Sequence, residues 1–177
     1  MKVRDYKSNE DDKLAKQLEK DKDIAFTKED MAKHLISLVD FKDWDVVIEP
    51  CYWDGAFYKN LPSYTKNIFC EINMGKDYLD FDGMADITLS NPPFVPRKLF
   101  WEFHKKAMQT TRREIYRLIN MYSMNVFTPK RMCEMEEAGW YIQNFHITQD
   151  KRWFGRYVRI RFSKEKNRLF TYDSKPF

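Results

Sequence analysis

Short apolar runs of strand length alternate with amphipathic helical stretches along this chain, and that alternation restricts its fold more than any other feature. Strands are predicted over 45–49, 67–71, 86–89, 115–119, 140–147 and 157–162, and helices over 27–39, 98–108 and 128–138. Strands separated by helices form parallel sheets, whereas the last two strands follow each other directly and suit an antiparallel pair. The sequence therefore predicts an α/β fold with a mostly parallel sheet and an antiparallel C-terminal hairpin.

Polar residues mark the ends of two of these helices. Thr27, followed three residues later by Asp30, resembles a capping arrangement at the start of the first helix. Thr128 and Pro129 suit the cap and the first position of the third helix, which Gly139 is expected to end.

The length of 177 residues suits one folded domain with a buried core. Residues 1–23 are polar and densely charged, so we predict an N-terminal segment that we expect to be flexible, followed by a single domain over 24–177. No apolar run approaches the roughly 20 residues that span a bilayer, and residues 1–23 lack the apolar core of a signal peptide. We expect no association with a membrane.

The cysteines and histidines indicate neither a disulfide framework nor a metal centre. Cys51, Cys70 and Cys133 are odd in number and widely spaced, which is typical of a reducing, intracellular setting such as the cytoplasm or nucleus. The three histidines, His34, His104 and His146, do not have the spacing of metal ligands. We therefore predict no metal site.

The net charge of +4 hides an asymmetry between the two halves of the chain. Residues 1–96 carry 13 Lys/Arg against 19 Asp/Glu, for a net charge of −6, and residues 97–177 carry 18 against 8, for +10. A basic half with interleaved aromatic residues is typical of a nucleic-acid binder, although a merely solvated basic surface fits equally well. The candidate contacts are Arg112, Arg113, Lys151, Arg152, Trp153, Phe154 and Arg156, and Arg117 is expected to extend this face.

Three successive predicted strands end in polar side chains, Glu49, Glu71 and Asn91. Ligands of open α/β sheets bind beyond the carboxyl ends of the strands, where a carboxylate after the second strand can accept hydrogen bonds from a ribose diol. Gly55 is expected to leave the backbone after the first strand open to a ligand. The alternative is that the two glutamates only end their strands at the solvent boundary.

The third strand continues into Ser90-Asn91-Pro92-Pro93-Phe94, a run that is improbable by chance. Its prolines donate no backbone hydrogen bond, so the turn presents an amide side chain, a carbonyl and an aromatic face together. We call Asn91 to Phe94 the double-proline corner. An ordinary turn at the end of a strand is the alternative.

The double-proline corner and the segments around it resemble the S-adenosylmethionine-dependent methyltransferases that act on the N6 amine of adenine. The corner matches their catalytic motif, and the order of motifs is that of the gamma type. Residues 47–57 are similar to their cofactor loop, and residues 25–27 are similar to an element that precedes this loop. Residues 69–72 are similar to the acidic end of their second strand, and residues 77–81 to a segment that contacts the cofactor adenine. The resemblance implies a Rossmann-like class I methyltransferase fold and a site for S-adenosylmethionine that includes Phe26, Thr27, Glu49, Pro50, Asp54, Gly55, Phe57, Glu71, Ile72, Asp77 and Tyr78.

The resemblance also implies that Asn91, Pro92, Pro93 and Phe94 are the catalytic residues. The Asn91 side-chain oxygen and the Pro92 carbonyl would accept the two N–H bonds of the amine, which directs its lone pair at the methyl group of the cofactor. Phe94 would stack on the target base.

Two positions depart from the family pattern. Trp53 stands where the family usually has the first glycine of the cofactor loop, and Lys28 replaces the proline that usually follows Phe-Thr. Trp53 either leaves room for the cofactor or marks a degenerate methyltransferase fold that binds nucleic acid or a protein partner without turnover.

The motif engages a planar NH₂ group, which DNA adenine, RNA adenine and protein glutamine all present. The basic C-terminal half favours nucleic acid, and the similarity of 49–57 to the loop of DNA adenine methyltransferases favours DNA. The alternative is an RNA adenine-N6 methyltransferase that acts with a partner. Because the predicted domain over 24–177 leaves almost no residues for a separate target-recognition domain, we expect short loops, a partner subunit or self-association to supply specificity.

Overall fold

A six-stranded sheet forms the centre of the part of the chain that the computed structural model describes, residues 27–94, 96–149 and 156–166. Its strands are β1 (Val46–Glu49), β2 (Lys66–Phe69), β3 (Ala85–Ser90), β4 (Thr111–Asn120), β5 (Tyr141–Thr148) and β6 (Tyr157–Ser163). They lie side by side in the order β2-β1-β3-β4-β6-β5.

The strands β1 to β4 are parallel, while β6 runs antiparallel to both of its neighbours, β4 and β5. The predicted mostly parallel sheet with an antiparallel C-terminal pair is therefore confirmed. The chain moves outward from β1 to β2 and then returns past β1 to form β3. Such a reversal of strand order opens a crevice for ligands at the carboxyl ends of the strands.

The helices of the described residues are α1 (Glu29–Ser37), α2 (Arg97–Thr110) and α3 (Pro129–Glu137), and short 3₁₀ turns join several elements. The ends of α3 are as predicted, since the Thr128 side chain accepts from the Arg131 amide and Gly139 has a φ of 74° after the last turn. None of the helices in these ranges is long and apolar enough to cross a bilayer.

Apolar side chains that alternate along the strands form a core on each face of the sheet. On one face, α1 packs Leu35 and Ile36 against Val47 and Ile87. On the other face, α2 and α3 pack on a larger cluster that includes Ile48, Phe100, Ile115, Met135, Ile160 and Phe162. Because helices pack on both faces of the sheet, the carboxyl ends of its strands are held in place and can position side chains.

Tertiary contacts change where two of the predicted elements begin. The strand β4 begins at Thr111 instead of 115, because Thr111 pairs with Ala85 of β3 and Glu114 pairs with Ser163 of β6. The helix α1 begins at Glu29, and its N-cap residue Lys28 makes no side-chain capping bond. The Thr27 hydroxyl, which we predicted to cap this helix, accepts a hydrogen bond from another part of the chain.

Candidate active site

The carboxyl ends of β2, β1 and β3 lie side by side where the strand order reverses, and each carries one of the predicted polar residues. Glu49 is the last residue of β1, Glu71 follows β2 by two residues, and Asn91 directly follows β3. In the strand register, Ile48 lies level with both Ile68 of β2 and Thr88 of β3, so the carboxyl ends of the three strands adjoin. The structure therefore brings the three predicted strand ends together.

The double-proline corner is anchored by the segment that precedes α1. The Asn91 amide donates through Nδ2 to the Thr27 hydroxyl at 3.1 Å. Since the nitrogen and oxygen of an amide point in different directions, this bond directs Oδ1 away from Thr27. Pro92 is buried, and Phe94 is half-buried against the core of α2 and α3. Thr27, a predicted cofactor residue, thus contacts the predicted catalytic amide.

Glu49 is a buried carboxyl, only 3% exposed, whose Oε2 accepts a hydrogen bond from the Tyr58 amide at 2.8 Å. Burial raises the pKa of Glu49 to about 8, and the negative charges of Asp54 and Glu71 act in the same direction. A cation beside Glu49 would stabilise its carboxylate form. This end of the site therefore suits a positively charged ligand.

Glu71 connects the loop after β1 to the segment after β2. Its Oε2 accepts from the Trp53 amide at 2.9 Å and its Oε1 from the Asn73 amide at 3.1 Å. A carboxylate has about four lone-pair sites, so both oxygens keep capacity to accept from a diol. Trp53 itself has a left-handed backbone, with a φ of 46°, and is 46% exposed. The indole is therefore not buried in the site.

Gly55 has a φ of 75°, and the ring of Tyr52 lies against it. A Cβ at position 55 would stand 2.6 Å from Tyr52 Cε2 and 2.8 Å from its hydroxyl oxygen. Tyr52 in turn packs on Tyr58 and Phe69, with ring centroids 5.6 Å and 4.4 Å away. The aromatic side chain, and not a ligand, takes the space that we predicted Gly55 to leave open.

The other predicted cofactor residues differ in what they offer a ligand. Phe57 and Tyr78 are each 1% exposed, so their side chains belong to the core. Ile72 is 69% exposed directly after Glu71, where its apolar surface is open to a planar group. The rest are Asp77, which accepts from the Leu79 amide at 2.9 Å, Asp54, which is exposed, Pro50, which is buried, and Phe26, which lies outside the described residues.

Arg117 is fully buried, and our expectation that it extends a basic face was wrong. Its Nη1 donates to the Ser90 hydroxyl, and its Nη2 donates to the Phe103 carbonyl at 3.0 Å. Since Ser90 precedes Asn91 and Phe103 lies on α2, Arg117 ties the double-proline corner to that helix. The position of Arg117 within an otherwise apolar predicted strand is the feature of the sequence that could have indicated its burial.

The predicted nucleic-acid residues are dispersed. Arg112 and Arg113 lie at the amino end of β4, on the edge of the sheet opposite the corner, and both are in ion pairs. Arg112 contacts Asp86 at 3.2 Å, and Arg113 donates to both oxygens of Asp45 at 2.7 Å and 2.6 Å. Lys151, Arg152, Trp153 and Phe154 lie outside the described residues, and Arg156 is exposed at the start of β6, on the carboxyl edge of β4.

Charge is unevenly distributed along this edge of the sheet, although Lys76 lies over the Phe69 ring on the acidic side and Glu134 lies near Arg131 on the basic side. The side of β1 and β2 carries carboxylates, namely Glu49, Asp54, Glu71 and Asp77. The side of β3, β4 and β6 carries cations, namely Arg97, Lys98, Lys130, Arg131 and Arg156. The double-proline corner lies at the boundary between the two sides.

Within residues 27–94, 96–149 and 156–166, no group of three or more His, Cys, Asp or Glu side chains is arranged to hold a metal ion. Burial among aromatic rings keeps the pKa of His104 well below 6.5. His34 and His146 lie on α1 and β5 with ring centroids 5.6 Å apart. Cys51, Cys70 and Cys133 are free thiols.

No protein-family model and no curated protein matches the chain, whereas solved structures do. A protein from Pyrococcus horikoshii assigned as an RNA methyltransferase has a TM-score of 0.52 and 18% identity, covering 88% of this chain and 96% of that one. A protein from Listeria monocytogenes assigned as a class I S-adenosylmethionine-dependent methyltransferase has a TM-score of 0.60 and 11% identity, covering 94% and 71%. An rRNA methylase from Streptococcus thermophilus has a TM-score of 0.54 and 8% identity, covering 81% and 99%.

At these identities the likeness establishes the fold. The chain has the Rossmann-like fold of class I methyltransferases, as predicted.

Proposed function

We propose that this chain transfers a methyl group from S-adenosylmethionine to the N6 amine of adenine in DNA. The proposal depends on one observation, the juxtaposition of the buried Glu49 with the corner at Asn91 where the strand order reverses. In a class I methyltransferase fold, this arrangement would suit a cationic donor bound beside a planar amine.

The residues on the carboxylate side fit S-adenosylmethionine by their chemistry. Glu49 is a buried carboxyl that a positive charge would stabilise, and the donor carries a sulfonium and an ammonium group. Glu71 keeps acceptor capacity for a ribose diol, and exposed Ile72 offers an apolar surface beside it. When bound, the cofactor supplies an electrophilic methyl group. These side chains would hold and orient it.

The corner would hold the amine that accepts the methyl group. The Asn91 Oδ1 and the Pro92 carbonyl are both acceptors, and Thr27 orients the amide by accepting from its Nδ2. An amine that donates to both oxygens has its lone pair directed to one side, which favours attack by placement and dipoles without a covalent enzyme intermediate. Phe94 would contribute the exposed part of its ring to stacking.

The basic half of the edge supports a nucleic-acid substrate, since phosphate groups bind Lys and Arg side chains. DNA is the first choice because the loop after β1 is similar to that of DNA adenine methyltransferases. RNA adenine is the second candidate, favoured by the RNA and rRNA methyltransferases among the structural neighbours. A partner subunit or self-association would then supply specificity.

Two measurements test the proposal. Isothermal titration with S-adenosylmethionine is expected to give saturable binding that Glu71→Ala weakens. Transfer of label from the cofactor is then measured on DNA, RNA and protein in parallel. Asn91→Ala should lower transfer by about 100-fold or more while cofactor binding persists. Asn144→Ala, at an exposed position on β5, is the matched control and should change neither quantity.

Each part of the proposal can fail separately. Absence of binding at millimolar cofactor would favour a degenerate fold without turnover. Label found only on RNA would favour the second candidate, and label found only on protein glutamine would contradict the assignment to nucleic acid.

A further inference from the structure

A 3₁₀ turn, Met121–Val126, projects from the end of β4 beside the double-proline corner. Ser90, the last residue of β3, pairs with Arg117, whereas β4 continues for three more residues to Asn120. The turn therefore begins beyond the edge of the sheet, next to the corner. Its second residue, Tyr122, is 80% exposed.

Hydrogen bonds hold the backbone of this turn at three points. Asn120 Oδ1 accepts from both the amide and the hydroxyl of Ser123, each at 2.8 Å. The Met121 amide donates to the Arg156 carbonyl at 2.9 Å, and Arg131 Nη1 donates to the Val126 carbonyl at 2.9 Å. The ring of Tyr122 is thus presented to solvent from a fixed support, which reduces the entropy that a ligand would have to overcome.

Two guanidinium groups flank the turn. Arg97 is the exposed first residue of α2, which packs against the turn, and the Arg131 guanidinium lies 5.0 Å from the ring centroid of Trp101, one turn further along the same helix. Burial lowers the pKa of Arg131, the charge of Glu134 raises it, and the charge of Arg97 lowers it. The carboxylates near Arg131 are Glu134, which accepts from Trp101 Nε1 at 3.2 Å, and Glu102, which pairs with Lys105 at 2.9 Å. Guanidinium groups form strong, often bidentate hydrogen bonds with phosphate, so Arg97 and Arg131 suit a phosphate group as ligand.

We propose that Tyr122, Arg97 and Arg131 bind an unpaired nucleotide that adjoins the target base, a substrate contact that deepens the proposed function and rests on it. The phenol ring stacks on the base, and the two guanidinium groups contact its phosphate. Stacking on an isolated side chain requires that one face of the base is uncovered, so the nucleotide is unpaired at the moment of binding. This site selects single-stranded or locally opened nucleic acid.

Fluorescence anisotropy with a labelled, adenine-containing single-stranded DNA of 20 nucleotides tests the site, with the wild-type full chain as reference. Tyr122→Ala should weaken binding about 5- to 100-fold, and Tyr122→Phe should bind nearly as well as wild type. Arg97→Ala and Arg131→Ala should each lower the slope of log affinity against log salt by about 0.7. Trp44→Ala, which removes an 84% exposed aromatic residue at the opposite edge of the sheet, should leave binding unchanged.

Two further readouts separate substrate binding from a structural role. Tyr122→Ala should raise the KM for the oligonucleotide with little change in kcat, while the affinity for S-adenosylmethionine and the urea midpoint stay at the wild-type values. Equal binding by wild type and Tyr122→Ala, in a chain that methylates nucleic acid, would overturn this site and leave the proposed function intact. An equal loss of affinity for duplex and single strand would overturn the assignment of an unpaired nucleotide. A wild-type chain that neither binds nor methylates any nucleic acid would overturn both.

Discussion

Replacing Glu49 by glutamine removes a buried carboxyl while keeping an oxygen that can accept from the Tyr58 amide, and we expect it to change how stability depends on pH. Burial raises the pKa of Glu49 from its ordinary value of 4.5 to about 8. Between these values the folded chain holds a proton that the unfolded chain has lost. The contribution of the Glu49 proton to the free energy of unfolding is therefore fully present below about pH 4.5. It is lost as the pH rises through about 8.

The two pKa values determine the size of the effect. Proton linkage through Glu49 alone lowers the free energy of unfolding of the wild type by about 2.5 kcal/mol between pH 5 and pH 7. The loss approaches roughly 5 kcal/mol at a pH well above 8, where the carboxyl is ionised in both states. The glutamine variant does not titrate and escapes this loss. Its free energy of unfolding should therefore rise relative to wild type over this range.

Urea denaturation of both proteins at intervals from pH 5 to pH 9 measures the difference. The control is Glu29→Gln, which removes an exposed carboxyl on α1 whose pKa is lowered by its hydrogen bond to Lys33. Because Glu29 titrates below this range, its replacement should shift stability by an amount that does not change with pH. Parallel curves for wild type and Glu49→Gln would refute the argument, since they would show that Glu49 is already ionised in the folded chain.

Three further outcomes are expected. If S-adenosylmethionine binds beside Glu49, binding at about pH 7 should release close to one proton, because the carboxyl is mostly protonated beforehand. Calorimetry in two buffers of different protonation enthalpy measures the number of protons released. Binding without proton release would mean that the donor binds elsewhere. His104→Leu should reduce the loss of stability as the pH falls below 6.5, because burial lowers the pKa of His104 and neither ring nitrogen forms a hydrogen bond. Urea midpoints at pH 5 and pH 7 measure this loss. An equal loss in the variant and the wild type would contradict the prediction. Thr128→Ala should cost about 1 kcal/mol by removing the cap of α3, whereas Thr148→Ala at the end of β5 serves as the uncapped comparison in the same denaturation experiment.

The sheet and the corner could be predicted because they depend on local patterns. Buried parallel strands appear as short apolar runs, and the run that ends at Ser90 leads directly into two prolines that no strand or helix can continue. The helix from Pro129 is similar, since its cap, first residue and terminating glycine are all local signals.

The residues that were misplaced depend on partners distant in sequence. Arg113 pairs with Asp45, 68 residues away, so its charge is directed to the amino edge of the sheet and away from the site. Thr27 accepts from Asn91 across 64 residues, although its local surroundings predict a helix cap. The side chain of Arg117 is buried because its strand is covered on both faces. The sequence gives the charge of each of these residues but does not show which distant group its side chain contacts.

The order of the strands explains how an uneven distribution of charge along the sequence becomes an uneven distribution of charge across the candidate site. Because the chain builds β1 and β2 on one side of the reversal point and β4 and β6 on the other, Glu49 and Glu71 lie on one side of the corner, whereas Arg131 and Arg156 lie on the other. Under the proposed function, the cationic donor would be attracted to the acidic side and a polyanionic nucleic acid to the basic side. The topology thus places side chains of opposite charge on either side of Asn91 in the described residues.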